Sequence, residues 1–308
     1  MEDLLGQLRD ACAQVARSAR HVRLDAEAIP GYAATLPLGP PPFGQDPEAH
    51  LIDGDRELLA AFWLTLDAVN FGSGWFPTLR KRAGRSGYYT IAGAIRDRFA
   101  SAGSWSAAEL GRIDAETIAR VLDQDAGHEL MELFARSLRD LGDHVASEHG
   151  GSFTALADSA AGSAVDLVRT LAGWDSFADT STYEGITIPF LKRAQIAAAD
   201  LDRAGVASFE DLDRLTIFAD NLVPHVLRLD GILSFDSALV KRIDRGELIE
   251  HGSPEEVEIR ACALHAVELI VAEHPETCAA DVDQLLWLRG QDQRYKRVPR
   301  HRSRCTAY

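Results

Sequence analysis

Three aspartates lie inside or beside apolar runs, where an ionised side chain is costly unless something pairs with it or uses it. Asp67 sits in TLDAVNF (65–71), Asp200 ends FLKRAQIAAAD (190–200), and Asp220 sits in LTIFADNLVPHVLRLDGIL (215–233). Burial raises a carboxyl pKa and helix N–H groups lower it, so such sites can be tuned for acid–base or electrostatic work. Asp220 is followed by Leu222, Val223, Val226, Leu227, Leu229, Ile232 and Leu233, the pattern of a buried helix with an acid near its start. Two roles fit that position. The side chain caps the helix by accepting orphan backbone N–H bonds, or it holds a reactive carboxylate at the helix's positive end. Asp67 and Asp200 fit equally well as buried hydrogen-bond partners of backbone or arginine.

Aromatic and basic residues supply the rest of a candidate site. In HLIDGDRELLAAFWLTLDAVNFGSGWF (50–76), Phe62 and Trp63 fall mid-helix and read as core. Asn70, Phe71 and Trp75 fall where that helix breaks into a glycine-containing loop, the kind of place that carries sites on a rigid scaffold. They could stack a purine-like base and bond its edge. His50 has no second histidine at metal spacing, and alone it reads as a surface or cap residue. Lys192 and Arg193 open a helix, and Arg297, Arg300, His301, Arg302 and Arg304 crowd the end. That basic end is either a solvated tail or, in a chain of net charge −15, a focused phosphate site.

Several function classes are excluded or disfavoured. The four cysteines are scattered with no CxxC pair, so no zinc signature appears, and they read as reduced thiols of a cytoplasmic protein. The glycines match neither GxGxxG nor a P-loop, and no GxSxG elbow is present. A net charge of −15 argues against binding a nucleic-acid duplex. The N-terminal 20 residues form an amphipathic pattern without the apolar core of a signal peptide. No run of about 18 apolar residues suggests a membrane span. No metal or organic cofactor is expected, and the chain is read as a monomer.

The elements that must position these residues are helical almost throughout. Residues 3–19 place Leu4, Leu5, Leu8, Cys12 and Val15 on one face. Helices are expected over 55–70, 126–148 and 152–173. Ser106 and Glu109 stand at capping-box spacing, Ser208 and Asp211 at cap spacing. Ser253, Pro254 and Glu256 form a strong helix start. TSTYEGITIPF is the best strand-like candidate, and NFGSGWFPTLRKRAGRSGYY is irregular with room for a short extended piece. The expectation is an all-α fold with at most a few short strands. It forms a single domain over 1–308, divisible into two helical lobes of about 1–185 and 186–308.

The Asp220 helix, with SFEDLDRLTIF before it, resembles the catalytic-aspartate helix of helix–hairpin–helix DNA glycosylases, although their glycine-rich hairpin is absent. A wider resemblance covers nearly the whole chain. TLDAVNF (65–71), GGSF (150–153), FLKRAQIAAAD (190–200), LTIFADNLVPHVL (215–227), EVEIRACALHAVELI (256–270), DQLLW (283–287) and HRSRC with the final tyrosine (301–308) are similar, in order, to the queuosine salvage protein family. The resemblance implies an all-helical enzyme, related in shape to DNA glycosylases, that hydrolyses the small molecule queuosine 5′-phosphate to queuine and ribose 5-phosphate for reuse in tRNA modification. It implies that Asp220 is the catalytic aspartate, that Phe218 packs against the base, and that His50 is the base-site histidine. A deazaguanine edge presents N–H donors and needs an acceptor carboxylate; Asp283 and Asp292 are both candidates. Lys192, Arg193, His301 and Arg302 are candidates for the 5′-phosphate. Residue 307 is Ala where the family often has an aromatic. A non-catalytic nucleotide-binding helical module is the alternative.

Overall fold

The computed structural model describes residues 3–38 and 46–308. The chain opens with α1 (Leu4–Ser18), strand β1 (Val22–Leu24) and α2 (Ile29–Ala33). There follow α3 (Arg56–Ala68), α4 (Gly87–Ala102), α5 (Ala107–Leu110), α6 (Ala115–Leu122), α7 (Glu129–Glu148), α8 (Phe153–Ser159) and α9 (Ala164–Ala172). The hairpin β2 (Thr180–Tyr183) and β3 (Ile186–Pro189) leads into α10 (Lys192–Arg203). The rest is α11 (Val223–Leu229), β4 (Leu233–Phe235), α12 (Ser237–Asp244), α13 (Pro254–Glu273), α14 (Ala279–Arg289) and α15 (Gln293–Lys296). The fold is essentially all-α, with two small antiparallel sheets among the described residues.

The local signals explain most boundaries. Ser106 and Glu109 form the reciprocal capping box at the start of α5. Ser253 caps α13 by accepting from Glu256 N–H, with Pro254 at the first helical position. The Glu256 side chain does not close a second capping box; it accepts from Gly252 N–H at 3.0 Å. TSTYEGITIPF is a hairpin whose two turn residues, Glu184 (φ 48°) and Gly185 (φ 84°), both take positive φ. That backbone matches the right-handed strand twist.

Three expectations are corrected. Residues 152–173 are two helices, because Ala161 and Gly162 take positive φ between them. Asp211 then accepts from Ala164 N–H at 2.5 Å and from Ser163 Oγ at 2.7 Å. It therefore supports the start of α9, while its own segment makes only a 3₁₀ turn over Leu212–Arg214. The expected helix over 215–233 is confined to Val223–Leu229; residues 215–222 are irregular and Leu233–Phe235 is a strand. That strand pairs antiparallel with β1, Val22 opposite Phe235 and Leu24 opposite Leu233.

The main core is a contiguous apolar cluster running from Leu5 to Tyr295, with a small second cluster of Cys305, Ala307 and Tyr308. Its axis is α13, buried on nearly all sides and packed by α1, α2, α11 and α14. A helix buried all round must satisfy any charge it carries. Glu258 does so by accepting from the N–H groups of Arg20, His21 and Val22 and from the Tyr183 hydroxyl, tying both sheets to α13. Arg260, fully buried, pairs with Asp179 through two bonds of 3.0 and 2.6 Å. Among the described residues no helix is long and apolar enough to cross a membrane.

Candidate active site

The irregular segment 216–222 is held by side chains from four directions. Gln195 of α10 accepts from Thr216 N–H at 2.8 Å. Asp283 of α14 accepts from Phe218 N–H at 3.0 Å. Arg260 of α13 donates Nε–H to the Ala219 carbonyl at 3.0 Å. Asn221 donates to Ser73 Oγ at 3.1 Å and to the His301 carbonyl at 3.2 Å. Backbone groups that a helix would satisfy internally are met here by tertiary partners. The result fixes Asp220, whose Oδ1 accepts from Leu222 N–H at 2.7 Å and Val223 N–H at 3.1 Å ahead of α11. Asp220 therefore does cap the approach to its helix, and it also lines a cavity.

That cavity measures about 640 Å³, large enough for a nucleotide. The carboxylates Asp200, Asp220 and Asp283 line it, as do His50, Asn70, Phe71, Phe218, Lys192 and Arg302. Helix α10 contributes Lys192, Ile196, Asp200 and Arg203, and α14 contributes Asp283, Gln284 and Trp287, with Gln291 just past its end. Spacings of three, four and eight put each set on one helical face. Trp63, Ser73, Tyr88, Asn221, Arg245 and Arg300 also line it.

Three of the expected site residues lie outside the lining. Arg193 is buried in the core, where it donates to the Ala68 carbonyl and Ser137 Oγ and lies over the Phe71 and Phe177 rings. His301 is buried with neither ring nitrogen partnered among the described residues, and it contributes its backbone carbonyl to Asn221. Asp292 is exposed and caps α15 by accepting from Arg294 N–H. Between Asp283 and Asp292, only Asp283 faces the cavity. Trp75, raised with Asn70 and Phe71, is also outside the lining; its indole donates to Glu129.

Electrostatics distinguish the carboxyls. Burial, reinforced by the Asp220 charge, pushes Asp283 up to about 7. Burial likewise raises Asp200, with Arg203 opposing at 3.3 Å. Asp67 lies one shell deeper, fully buried; burial and then the Asp200 charge raise it well above the carboxylate range. Its Oδ2 has no partner among the described residues. Burial lowers Lys192, opposed first by Asp220 and then by Asp67, and its Nζ donates to the Asn70 carbonyl at 2.9 Å. Arg300 is lowered by burial and drawn back by Asp220. Among the described residues no group of three or more His, Cys, Asp or Glu side chains is disposed to hold a metal ion.

Reasoning from sequence missed Tyr88, Trp287, Asn221 and Arg245. Trp287 carried a signal, since it lies one turn from Asp283 on the same face. Asn221 directly follows Asp220. Tyr88 and Arg245 come from segments whose placement only the tertiary fold decides.

An all-helical chain with a nucleotide-sized, carboxylate-lined cavity defines the class. The model of the queuosine salvage protein family matches residues 50–308, and the chain belongs to that family. It is similar to the queuosine 5′-phosphate N-glycosylase/hydrolase of Sphaerobacter thermophilus, 36% identical over 96% of this chain and 95% of that protein. The proteins of the same description from Bos taurus (30% identical, 72% of each chain) and Dictyostelium discoideum (31% identical, 82% of this chain and 79% of that one) are also similar.

Proposed function

We propose that this chain hydrolyses the N-glycosidic bond of queuosine 5′-phosphate, releasing queuine and ribose 5-phosphate for queuine salvage. The observation that carries the reading is the Asp220 carboxylate, fixed by two backbone N–H groups at the wall of a cavity that aromatic, acidic and basic side chains also line. Cleavage of the C1′–N bond builds positive charge on the ribose, and a preorganised carboxylate stabilises that oxocarbenium or captures it. Water supplies the oxygen that bonds C1′, and its proton balances the base that leaves.

The remaining roles follow from position. Phe218 and the aromatic wall pack against the base. Asp283 lines the cavity, and as a carboxylate it accepts from the N–H donors of a deazaguanine edge. Lys192 holds Asn70 and faces Asp220, so it orients the ribose end. Arg300 and Arg302, with Ser73 beside Asn221, form the basic end suited to the 5′-phosphate. Holding phosphate and base together positions C1′ against Asp220.

The test mixes purified protein with queuosine 5′-phosphate and follows free queuine by mass spectrometry, with Asp220→Asn in parallel. Release by wild type and not by the folded variant is expected. Saturable binding of the nucleotide without release would replace this reading with a non-catalytic binding module.

A further inference from the structure

The four cysteines are free, and none of them lines the cavity. Their surroundings differ. Cys12 and Cys262 are sealed in the core, where burial pushes Cys262 up to about 12 and Cys12 well above the usual thiol range. Cys278 stands just ahead of α14, and burial pushes it up to about 11. Thiols held so firmly in the protonated form are poor nucleophiles. Cys305 instead meets a histidine.

The His251 ring hydrogen-bonds the Cys305 side chain, and its Nδ1 lies 3.3 Å from Glu256 Oε1. Glu256 is fully buried, held by Gly252 N–H at 3.0 Å and faced by Arg260 at 3.7 Å. A nucleophile, a histidine and a carboxylate that orients the histidine are therefore in consecutive contact. The bonds to Cys305 and then to Glu256 raise His251 to about 10, so its ring is an imidazolium at neutral pH. An imidazolium beside a thiol favours the thiolate, the form that attacks oxidants. Cys305 is 7% exposed and the His251 side chain 33%, an opening that suits a small oxidant and not a protein. The Tyr308 hydroxyl, in the same small cluster as Cys305, is buried without a partner among the described residues. It supplies a donor for an oxygen added to the sulfur.

The Cys305–His251 contact also belongs to a seam. Ile249 N–H donates to the Arg302 carbonyl at 2.9 Å, and the Arg302 guanidinium donates to the Gly246 carbonyl at 2.9 Å. The Tyr308 and His251 rings face each other at 6.3 Å between centroids. These contacts join the tail to the loop that carries His251, and Arg300, Arg302 and Tyr308 of the same tail line the cavity. A packed interior has no room for an extra oxygen at Cys305 unless the tail or the loop moves.

We infer that Cys305 is a peroxide-reactive thiol whose oxidation loosens the tail at the cavity wall. The Cys305 thiolate attacks hydrogen peroxide, forming an S–O bond as the O–O bond breaks. The sulfur gives up two electrons and becomes a sulfenic acid, while the peroxide is reduced to water. The His251 imidazolium gives its proton to the departing hydroxide. A dithiol such as dithiothreitol returns the sulfenic acid to the thiol.

The experiment exposes the reduced protein to hydrogen peroxide, traps sulfenic acid with dimedone and locates the adduct by peptide mass spectrometry. The adduct is expected on Cys305 before Cys278. In a parallel sample without dimedone, amide hydrogen exchange over residues 300–308 should rise after peroxide and return after dithiothreitol. Cys305→Ser should show neither change. His251→Gln should slow adduct formation at Cys305 roughly tenfold relative to Cys278 in the same sample, the effect of about one unit in thiol acidity. No adduct at Cys305, an earlier one at Cys278 in the folded wild type, or an unchanged rate in folded His251→Gln would overturn the activated thiol. An adduct that leaves the exchange of the tail unaltered would overturn its link to the cavity wall. Neither readout depends on the N-glycosidase reading.

Discussion

Asp283 reaches across from α14 to accept the backbone N–H of Phe218 at 3.0 Å, two residues before Asp220. One carboxyl thereby sets the backbone that presents another. The two charges also oppose each other, since Asp220 contributes to raising Asp283 to about 7.

Asp220 both caps and faces the cavity, and two substitutions separate the roles. Asp220→Asn keeps an oxygen for Leu222 and Val223 N–H, so its thermal midpoint should stay near wild type. Its kcat should fall by about two orders of magnitude or more, as when an electrostatic stabiliser is removed. Asp220→Ala should lose the same activity and a further ~1 kcal/mol of stability, the usual value of a cap. Thermal denaturation beside turnover assays reads both.

The raised pKa of Asp283 predicts a pH-dependent cost in the ligand-free protein. Its folded value of about 7 lies above the ordinary 3.8. Between those values the folded state holds a proton that the unfolded state has released, so this residue's contribution falls as pH rises from 4 to 7. Asp283→Asn should therefore be more stable than wild type at pH 8, by up to about 4 kcal/mol, with the gain vanishing near pH 4. Denaturant titrations at the two pH values test this. A gain equal at both would show that Asp283 is not the group responsible.

Neighbours in sequence, Lys192 and Arg193 should respond oppositely. Lys192→Met should fold and lose turnover, because its Nζ serves the cavity wall. Arg193→Lys should lose about 2 kcal/mol of stability, because an ammonium cannot reproduce the buried bonds to Ala68 and Ser137. The residual folded fraction of Arg193→Lys should retain its affinity for inorganic phosphate. A selective loss of phosphate affinity, measured by calorimetry, would return Arg193 to the binding site.

Gly74 lets the tail approach. A Cβ there would meet the Ser303 carbonyl oxygen at 2.3 Å and the Arg304 nitrogen at 2.9 Å, both backbone atoms. Gly74→Ala should displace the 301–304 segment and weaken nucleotide binding, visible as a raised KM with a smaller change in kcat.

Much of the site was legible where local chemistry and tertiary placement agree. Asp67, Asp200 and Asp220 stood out because charge inside an apolar run is rare, and all three are at or beneath the cavity. The hairpin and the caps of α5 and α13 were legible for the same local reason. Legibility failed where partners come from far away. The segment 216–222 carries a helical apolar pattern, yet Gln195, Asp283, Arg260 and Asn221 satisfy it as irregular backbone. Arg193 and Lys192 are adjacent, and only packing decides which enters the core. Among the basic residues near the end, Arg300 and Arg302 face the cavity while His301 turns away, an alternation that extended backbone produces and composition hides. Asp283 and Asp292 were equivalent as sequence, and the end of α14 separates them.

The tail that closes the cavity also has a consequence for biosynthesis. Gly72 N–H donates to the Tyr308 carbonyl, Ile249 N–H to the Arg302 carbonyl, and the Tyr308 ring covers Arg260, the residue that holds Ala219. The wall built near residue 70 thus waits for residues more than two hundred positions later. On the ribosome, the Asp220 side of the cavity stays open until residue 308 has cleared the exit tunnel. A nascent chain stalled before that point would expose buried aspartates to water, and would be a substrate for quality control before it could be a catalyst.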